Sequence, residues 1–99
     1  MLAEVNGQPY VIQFYYPDRK KDNRSLTKCV VSTAVEKEEN KVEKGEEISV
    51  GVAIKSPKDK NFSKIVGRKV ALLKALKSVF NKEERTQIWS QYLEEFKYN

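Results

Sequence analysis

Ile48-Ser49-Val50-Gly51-Val52-Ala53-Ile54-Lys55 runs directly into Ser56-Pro57-Lys58-Asp59-Lys60-Asn61-Phe62-Ser63-Lys64, and the fold is decided at this junction. The first half alternates. Ile48, Val50, Val52 and Ile54 form one clearly apolar side, and Ser49, Gly51, Ala53 and Lys55 form the other, which is the period of a strand. Gly51 and Ala53 are small enough to admit another element, a ligand or a second subunit at close range. Ser56-Pro57 ends the strand, and the period then lengthens. Val66, Val70, Leu73, Leu76 and Phe80 recur at helical spacing, with Leu72 and Val79 widening the stripe, which predicts a helix over about 63–80. Gly67, Ala71 and Ala75 add a small-residue stripe to the same helix.

Upstream, Leu26 to about Glu36 reads as a long strand with Cys29, Val31, Thr33 and Val35 on one face. Tyr10-Val11-Ile12-Gln13-Phe14-Tyr15-Tyr16 is aromatic and β-branched, a strand with Pro9 at its start or at an edge. A short strand, Leu2–Val5, precedes it across Asn6-Gly7, the dipeptide suited to a type I′ hairpin turn. Glu36 to Glu47 reads as a charged hairpin connection with Asn40 and Gly45 as turn residues. Downstream, Asn81-Lys82-Glu83-Glu84 carries a capping-box pattern and opens a second helix over about 82–97, with Ile88, Trp89, Tyr92, Leu93 and Phe96 as its apolar face. The expected architecture is α+β, one domain over 1–99. It comprises an antiparallel meander of three to four strands (about 2–5, 10–16, 26–36 and 46–55), followed by two C-terminal helices packed on the sheet.

Composition narrows the function. The 99 residues contain no histidine and one cysteine. The commonest general base and the commonest transition-metal ligand are thus missing, and Cys29 has no imidazole to activate it. No paired CxxC and no phosphate-cradling GxxxxGK[ST] occurs. The expectation is a binding protein, not an enzyme, with no cofactor and no metal. Cys29 reads as a small buried hydrophobe. The lone thiol, the lack of a bilayer-length apolar stretch and the lack of a signal-like N-terminus predict a soluble protein of a reducing cytoplasm. A chain of this size has little surplus stability, so a homo-oligomer, dimer or higher, is also expected.

Charge is segregated. Residues 36 to 47 carry six acids and three bases, whereas residues 55 to 77 carry eight bases and one acid, Asp59, within a net charge of +5. Such a field attracts anions. The concentrated signal is the loop before the first helix: Ser56, Lys58, Asp59 and Asn61, then Lys64 and Arg68 one turn apart. A helix N-terminus offers unpaired N–H groups and the positive end of the macrodipole, both favourable to phosphate. Asn61 adds a donor and an acceptor, and Phe62 a stacking surface, a mixture that suits a nucleotide better than a bare anion. A structural alternative stays open, in which Asn61 or Ser63 caps the helix, Phe62 packs as a hydrophobic staple and the lysines are solvated.

The run Gly51-Val52-Ala53, then Ser56-Pro57-Lys58-Asp59, then Asn61-Phe62-Ser63-Lys64, then Gly67-Arg68-Lys69-Val70-Ala71 resembles a signature of small phage and prophage proteins, the first type of Thoeris anti-defence proteins. The likeness covers roughly residues 48–77. Lys55 stands where the family pattern has cysteine, and the spacing between Asp59 and Phe62 carries an insertion. The resemblance implies a non-catalytic, cytoplasmic oligomer that sequesters a cyclic ADP-ribose isomer or a cyclic oligonucleotide and so blocks host antiphage signalling. Ser56, Lys58, Asp59, Asn61, Lys64 and Arg68 would be its ligand-binding residues. Two other classes stand beside it. One is a basic nucleic-acid-binding module using Arg68, Lys69, Lys74 and Lys77. The other is a protein–protein inhibitor of a host defence enzyme acting through the acidic segment 36–47.

Overall fold

The computed structural model describes residues 1–17, 25–39, 41–55 and 64–96. Four strands, β1 (Leu2–Val5), β2 (Gln8–Tyr15), β3 (Ser25–Glu38) and β4 (Lys41–Lys55), form one antiparallel sheet in chain order. Two helices follow, α1 (Lys64–Lys77) and α2 (Lys82–Glu95). The α+β meander with two C-terminal helices is thus present with four strands.

Local chemistry accounts for the first connection. Asn6 and Gly7 have φ of 52° and 82°, both left-handed, and Val5 faces Gln8 across the turn. This is type I′ geometry, whose twist matches that of the strands. Pro9 is paired with Glu4 of β1. Met1 and Ile12 exchange both backbone hydrogen bonds, so by the alternation of an antiparallel ladder Glu4 and Pro9 form a non-hydrogen-bonded pair. The proline nitrogen therefore turns toward β3, whose pairing with β2 begins only at Tyr10↔Thr33.

Cross-strand partners share a face, so the register identifies the inner side of the sheet: Ala3 with Tyr10, Phe14 with Cys29, Cys29 with Gly51, and Thr27 with Ala53. Ala3, Ile12, Cys29, Val31 and Ala53 from this side join Ala71, Leu72, Ala75, Leu76, Phe80, Ile88 and Tyr92 in one core. The face of β4 that meets the helices is therefore the small one. A Cβ on Gly51 would run into the Ala71 carbonyl oxygen and lie 2.5 Å from the Ala75 nitrogen. Ser49 Oγ donates to the Ala75 carbonyl at 2.5 Å. The two small-residue stripes meet each other, and this lets α1 lie almost on the backbone of β4. The branched side chains Val50 and Ile54 face outward, 45% and 53% exposed. Ile48 still packs against the core, because the register shifts between Val31 and Ser32.

The same rotation applies to α1. Ala71, Leu72, Ala75 and Leu76 are buried, whereas Val66 and Leu73 from the expected apolar stripe are 41% and 45% exposed. On α2, Ile88 and Tyr92 are buried but Leu93 is 52% exposed.

The charged segment 36–47 is not a loop. β3 continues to Glu38 and β4 resumes at Lys41, with Val35↔Glu43 and Glu36↔Val42 still in register. Gly45 lies inside β4, where a Cβ would meet Thr33 Oγ1 and, at 3.0 Å, Val35 Cγ2. Its smallness serves strand packing and not a turn.

Two polar devices fix α2. Asn81 accepts from the Glu84 N–H at 2.9 Å, and Glu84 accepts from the Asn81 N–H at 2.9 Å, a complete capping box. Replacing Asn81 by Ala should therefore cost about 1 kcal/mol in a denaturant melt, the usual worth of a cap. Farther along, the Gln91 amide donates to the Glu4 carbonyl at 2.7 Å and accepts from the Glu4 N–H at 2.8 Å. Gln87 likewise accepts from the Asn6 N–H at 2.9 Å and donates to its side chain at 2.9 Å. In edge strand β1 the outward N–H and C=O of Glu4 are thus satisfied by a helix, which also hinders pairing with another chain there.

Candidate functional site

The site residues expected from the sequence divide sharply. Ser56, Lys58, Asp59 and Asn61 lie outside the described residues, as do Phe62 and Ser63, so the alternative of a helix cap there lies outside them too. The two ends of their connection are given, Lys55 at the end of β4 and Lys64 at the start of α1. Lys64 opens α1, and Arg68 follows one turn later on the same side of the helix. No acidic residue lies in the first turn of α1.

Arg68 occupies a particular environment. Its Nη1 donates to the Tyr16 hydroxyl at 3.2 Å. Its Cζ stands 4.9 Å from the centroid of the Phe96 ring. Its Nε is buried and has no acceptor among the described residues. Burial works against the guanidinium's charge, but the Tyr16 and Tyr92 phenol oxygens beside it work for it, and the balance shifts its pKa upward. The group is a permanent cation set over an aromatic ring, with one N–H lacking an acceptor among the described residues.

The rings around it form a nest at one end of the core. Phe14 lies 5.9 Å from Tyr92 and 6.0 Å from Phe96, and Tyr92 lies 4.8 Å from Phe96. Tyr16 and Phe14 come from the end of β2, and Tyr92 and Phe96 from the end of α2. None of the four was a site candidate from sequence. The available signal was the density of aromatics at both places, Phe14-Tyr15-Tyr16 and Tyr92 with Phe96, but it reads equally as core.

The other basic residues are placed differently. Lys74 donates to the Val52 carbonyl at 3.0 Å and so clips α1 to the β4 edge. Lys69 and Lys77 are exposed. A shallow groove between the first hairpin and α2 is lined by Glu4, Asn6, Gln87 and Gln91. Its amides are committed to β1 and its turn, so it has little left for a ligand.

Cys29 is fully buried and its thiol is pushed up from 9.0 to about 12, chiefly by burial. The thiolate is the reactive form, so the native thiol should resist alkylating reagents at neutral pH and react once denaturant opens the fold. The sign of the linkage follows. The folded chain holds this proton more tightly than the unfolded chain, so the contribution is complete below about pH 9. It is lost as pH rises from 9 through about 12. Cys29→Ala should flatten that part of the stability–pH curve. Among the described residues, no group of three or more potential ligands is arranged to hold a metal ion. No described helix is long and apolar enough to cross a membrane.

No family model, curated protein or solved structure matches the chain.

Proposed function

We propose that the chain is a non-enzymatic phage anti-defence protein that captures a nucleotide-derived anion in the host cytoplasm, as a homo-oligomer, and withholds it from immune signalling. The observation that carries this reading is Arg68: a half-buried guanidinium, stacked on Phe96, held by a neutral hydroxyl, with Nε lacking an acceptor among the described residues. Burial works against the cation's charge, and among the described residues phenol oxygens, not a carboxylate, offset that desolvation cost. A phosphate removes that cost and gains charge-assisted hydrogen bonds. The start of α1 supplies the favourable end of the helix dipole, and Ser56, Lys58, Asp59, Asn61 and Lys64 belong to the same stretch of chain. Tyr16, 42% exposed beside the cation, offers an aromatic face that suits a base or a ribose better than inorganic phosphate alone.

Calorimetric titration with cyclic ADP-ribose isomers and cyclic dinucleotides tests this directly. Saturable binding by at least one of them, with no such binding by inorganic phosphate at equal concentration, is expected. Filter binding of random DNA should be weak at moderate salt. Micromolar or tighter DNA affinity with a steep salt slope, and no cyclic nucleotide bound, would replace the proposal with a nucleic-acid-binding role.

A further inference from the structure

The two edges of the sheet are finished differently. Met1 and Ile12 exchange both backbone hydrogen bonds, which sets the alternation of the whole antiparallel ladder. Ile12 turns its backbone groups to β1, so Val11, Gln13 and Tyr15 turn theirs to β3, at Ser32, Val30 and Lys28. Val31, Cys29 and Thr27 then turn theirs to β4, at Ser49, Gly51 and Ala53. The N–H and C=O groups of Val50, Val52 and Ile54 are left pointing away from the sheet. At the β1 edge, Gln91 takes up both outward groups of Glu4, and Gln87 takes up the N–H of Asn6. At the β4 edge, Lys74 donates to the Val52 carbonyl at 3.0 Å. The remaining outward groups of Val50, Val52 and Ile54 have no partner among the described residues.

The two sides of this open stretch differ in chemistry. On the outer face Val50 and Ile54 are 45% and 53% exposed. On the inner face Gly51 and Ala53 are small, and the helix above them, α1, has no acidic residue and lays Lys74 along the edge. Lys28, beside Val52 on the outer face, is also basic. Along β4 the nearest carboxylate is Glu47, beyond the register shift, and Lys44 already holds it at 2.8 Å. A second copy of β4 fits the same backbone groups poorly. Antiparallel pairing that uses all of them sets Val52 opposite Val52 of the second copy and brings two Lys74 ammonium groups together, and like charges so placed oppose pairing.

We infer that the β4 edge takes up an extended segment of a partner protein as an added strand, one in which acidic residues alternate with branched apolar ones. Its main chain pairs with the outward groups of Val50, Val52 and Ile54, and its alternate side chains give specificity. The apolar ones extend the outer face against Val50 and Ile54. The carboxylates lie on the inner side, where Lys74 exchanges the Val52 carbonyl for one of them and leaves that carbonyl to an incoming N–H. This surface uses none of the groups around Arg68 and is independent of which anion is bound there.

The probe is a short labelled peptide that alternates valine with glutamate, added to the full chain, with the valine–lysine counterpart beside it. Fluorescence anisotropy should show saturable binding of the glutamate peptide and binding of the lysine peptide weaker by about tenfold or more. Amide hydrogen exchange reads the geometry. The N–H groups of Val50, Val52 and Ile54 should exchange quickly in the free chain and slowly once the glutamate peptide is bound, whereas those of Gly51 and Ala53, bonded to β3, should be slow throughout. Val52→Pro removes an outward N–H and no bond to β3, so it should abolish peptide binding. Lys74→Glu should reverse the preference between the two peptides, which a merely misfolded variant cannot do, and it decides the matter where Val52→Pro fails to fold. Equal binding of the two peptides, no binding of either, or a preference that Lys74→Glu leaves unchanged overturns the inference. So does protection of the Val50, Val52 and Ile54 amides that rises with protein concentration in the absence of peptide, which would assign the edge to a second copy.

Discussion

Arg68→Ala should lower affinity for the nucleotide proposed as ligand about ten- to a hundredfold, while Lys74→Ala should leave it within about threefold. The first figure corresponds to about 1.5–3 kcal/mol, the worth of a charge-assisted hydrogen bond in a partly desolvated place. Arg68 meets that description, because its ring contact and its Tyr16 hydrogen bond pre-set the guanidinium before any ligand arrives. Lys74 is an equally charged residue of the same helix, but it is bound to the Val52 carbonyl and contributes only an exposed field. An exposed charge at a distance is worth at most ~1 kcal/mol and is screened by salt. Arg68→Lys is the sharper variant. It keeps the charge and loses the planar fork and the stacking on Phe96, so it too should lose most of the affinity. Equal, modest losses for Arg68→Ala and Lys74→Ala in calorimetry would reduce the site to a diffuse positive surface.

Gly51→Val should destabilise the fold by about 3 kcal/mol or more, enough to leave much of the chain insoluble. The groups that a side chain would strike are the Ala71 carbonyl and the Ala75 nitrogen, both helix backbone. Overpacking costs about 1–3 kcal/mol where side chains can shift, and here the whole of α1 would have to lift from β4. For a small domain that is a large share of the total stability. Gly7→Ala is the control. Gly7 has φ +82°, and a Cβ placed there would meet nothing within 4 Å, so the cost is backbone strain alone, about 1 kcal/mol. Urea melts that gave the two substitutions equal costs would show that α1 does not sit on Gly51 as described.

The parts of the fold that were legible in the sequence are those governed by neighbours in the chain. Asn6-Gly7 specifies its turn through its own φ angles, and Asn81 with Glu84 specifies its cap through two hydrogen bonds three residues apart. Strand and helix periods in 48–55 and 64–77 were legible for the same reason. Which face of each turns inward was less so. The alternation in β4 reads as an apolar side and a small side, but the choice between them depends on Ala71 and Ala75 offering a surface flat enough for Gly51 to touch. The acidic run has the composition of a loop and the structure of a ribbon. Pairings such as Val35↔Glu43 supply the ladder, and Lys37–Glu43 at 3.7 Å and Lys41–Glu38 at 3.8 Å accompany it, none of which composition reveals. Arg68 was legible through its place at the start of a helix. Its partners were not, because Tyr16 and Phe96 come from the ends of β2 and α2 and meet it only once the sheet and both helices have packed.

Capture without chemistry is tested most directly by what the protein carries out of the cell. The chain is purified from cells in which a cyclic nucleotide immune signal is being made, denatured by heat, and the released small molecules are identified by mass spectrometry. An intact cyclic nucleotide in near-stoichiometric amount is expected, together with its loss from Arg68→Ala purified in parallel. Release of a cleaved product, or of no nucleotide at all from the wild-type chain, would contradict the proposed capture.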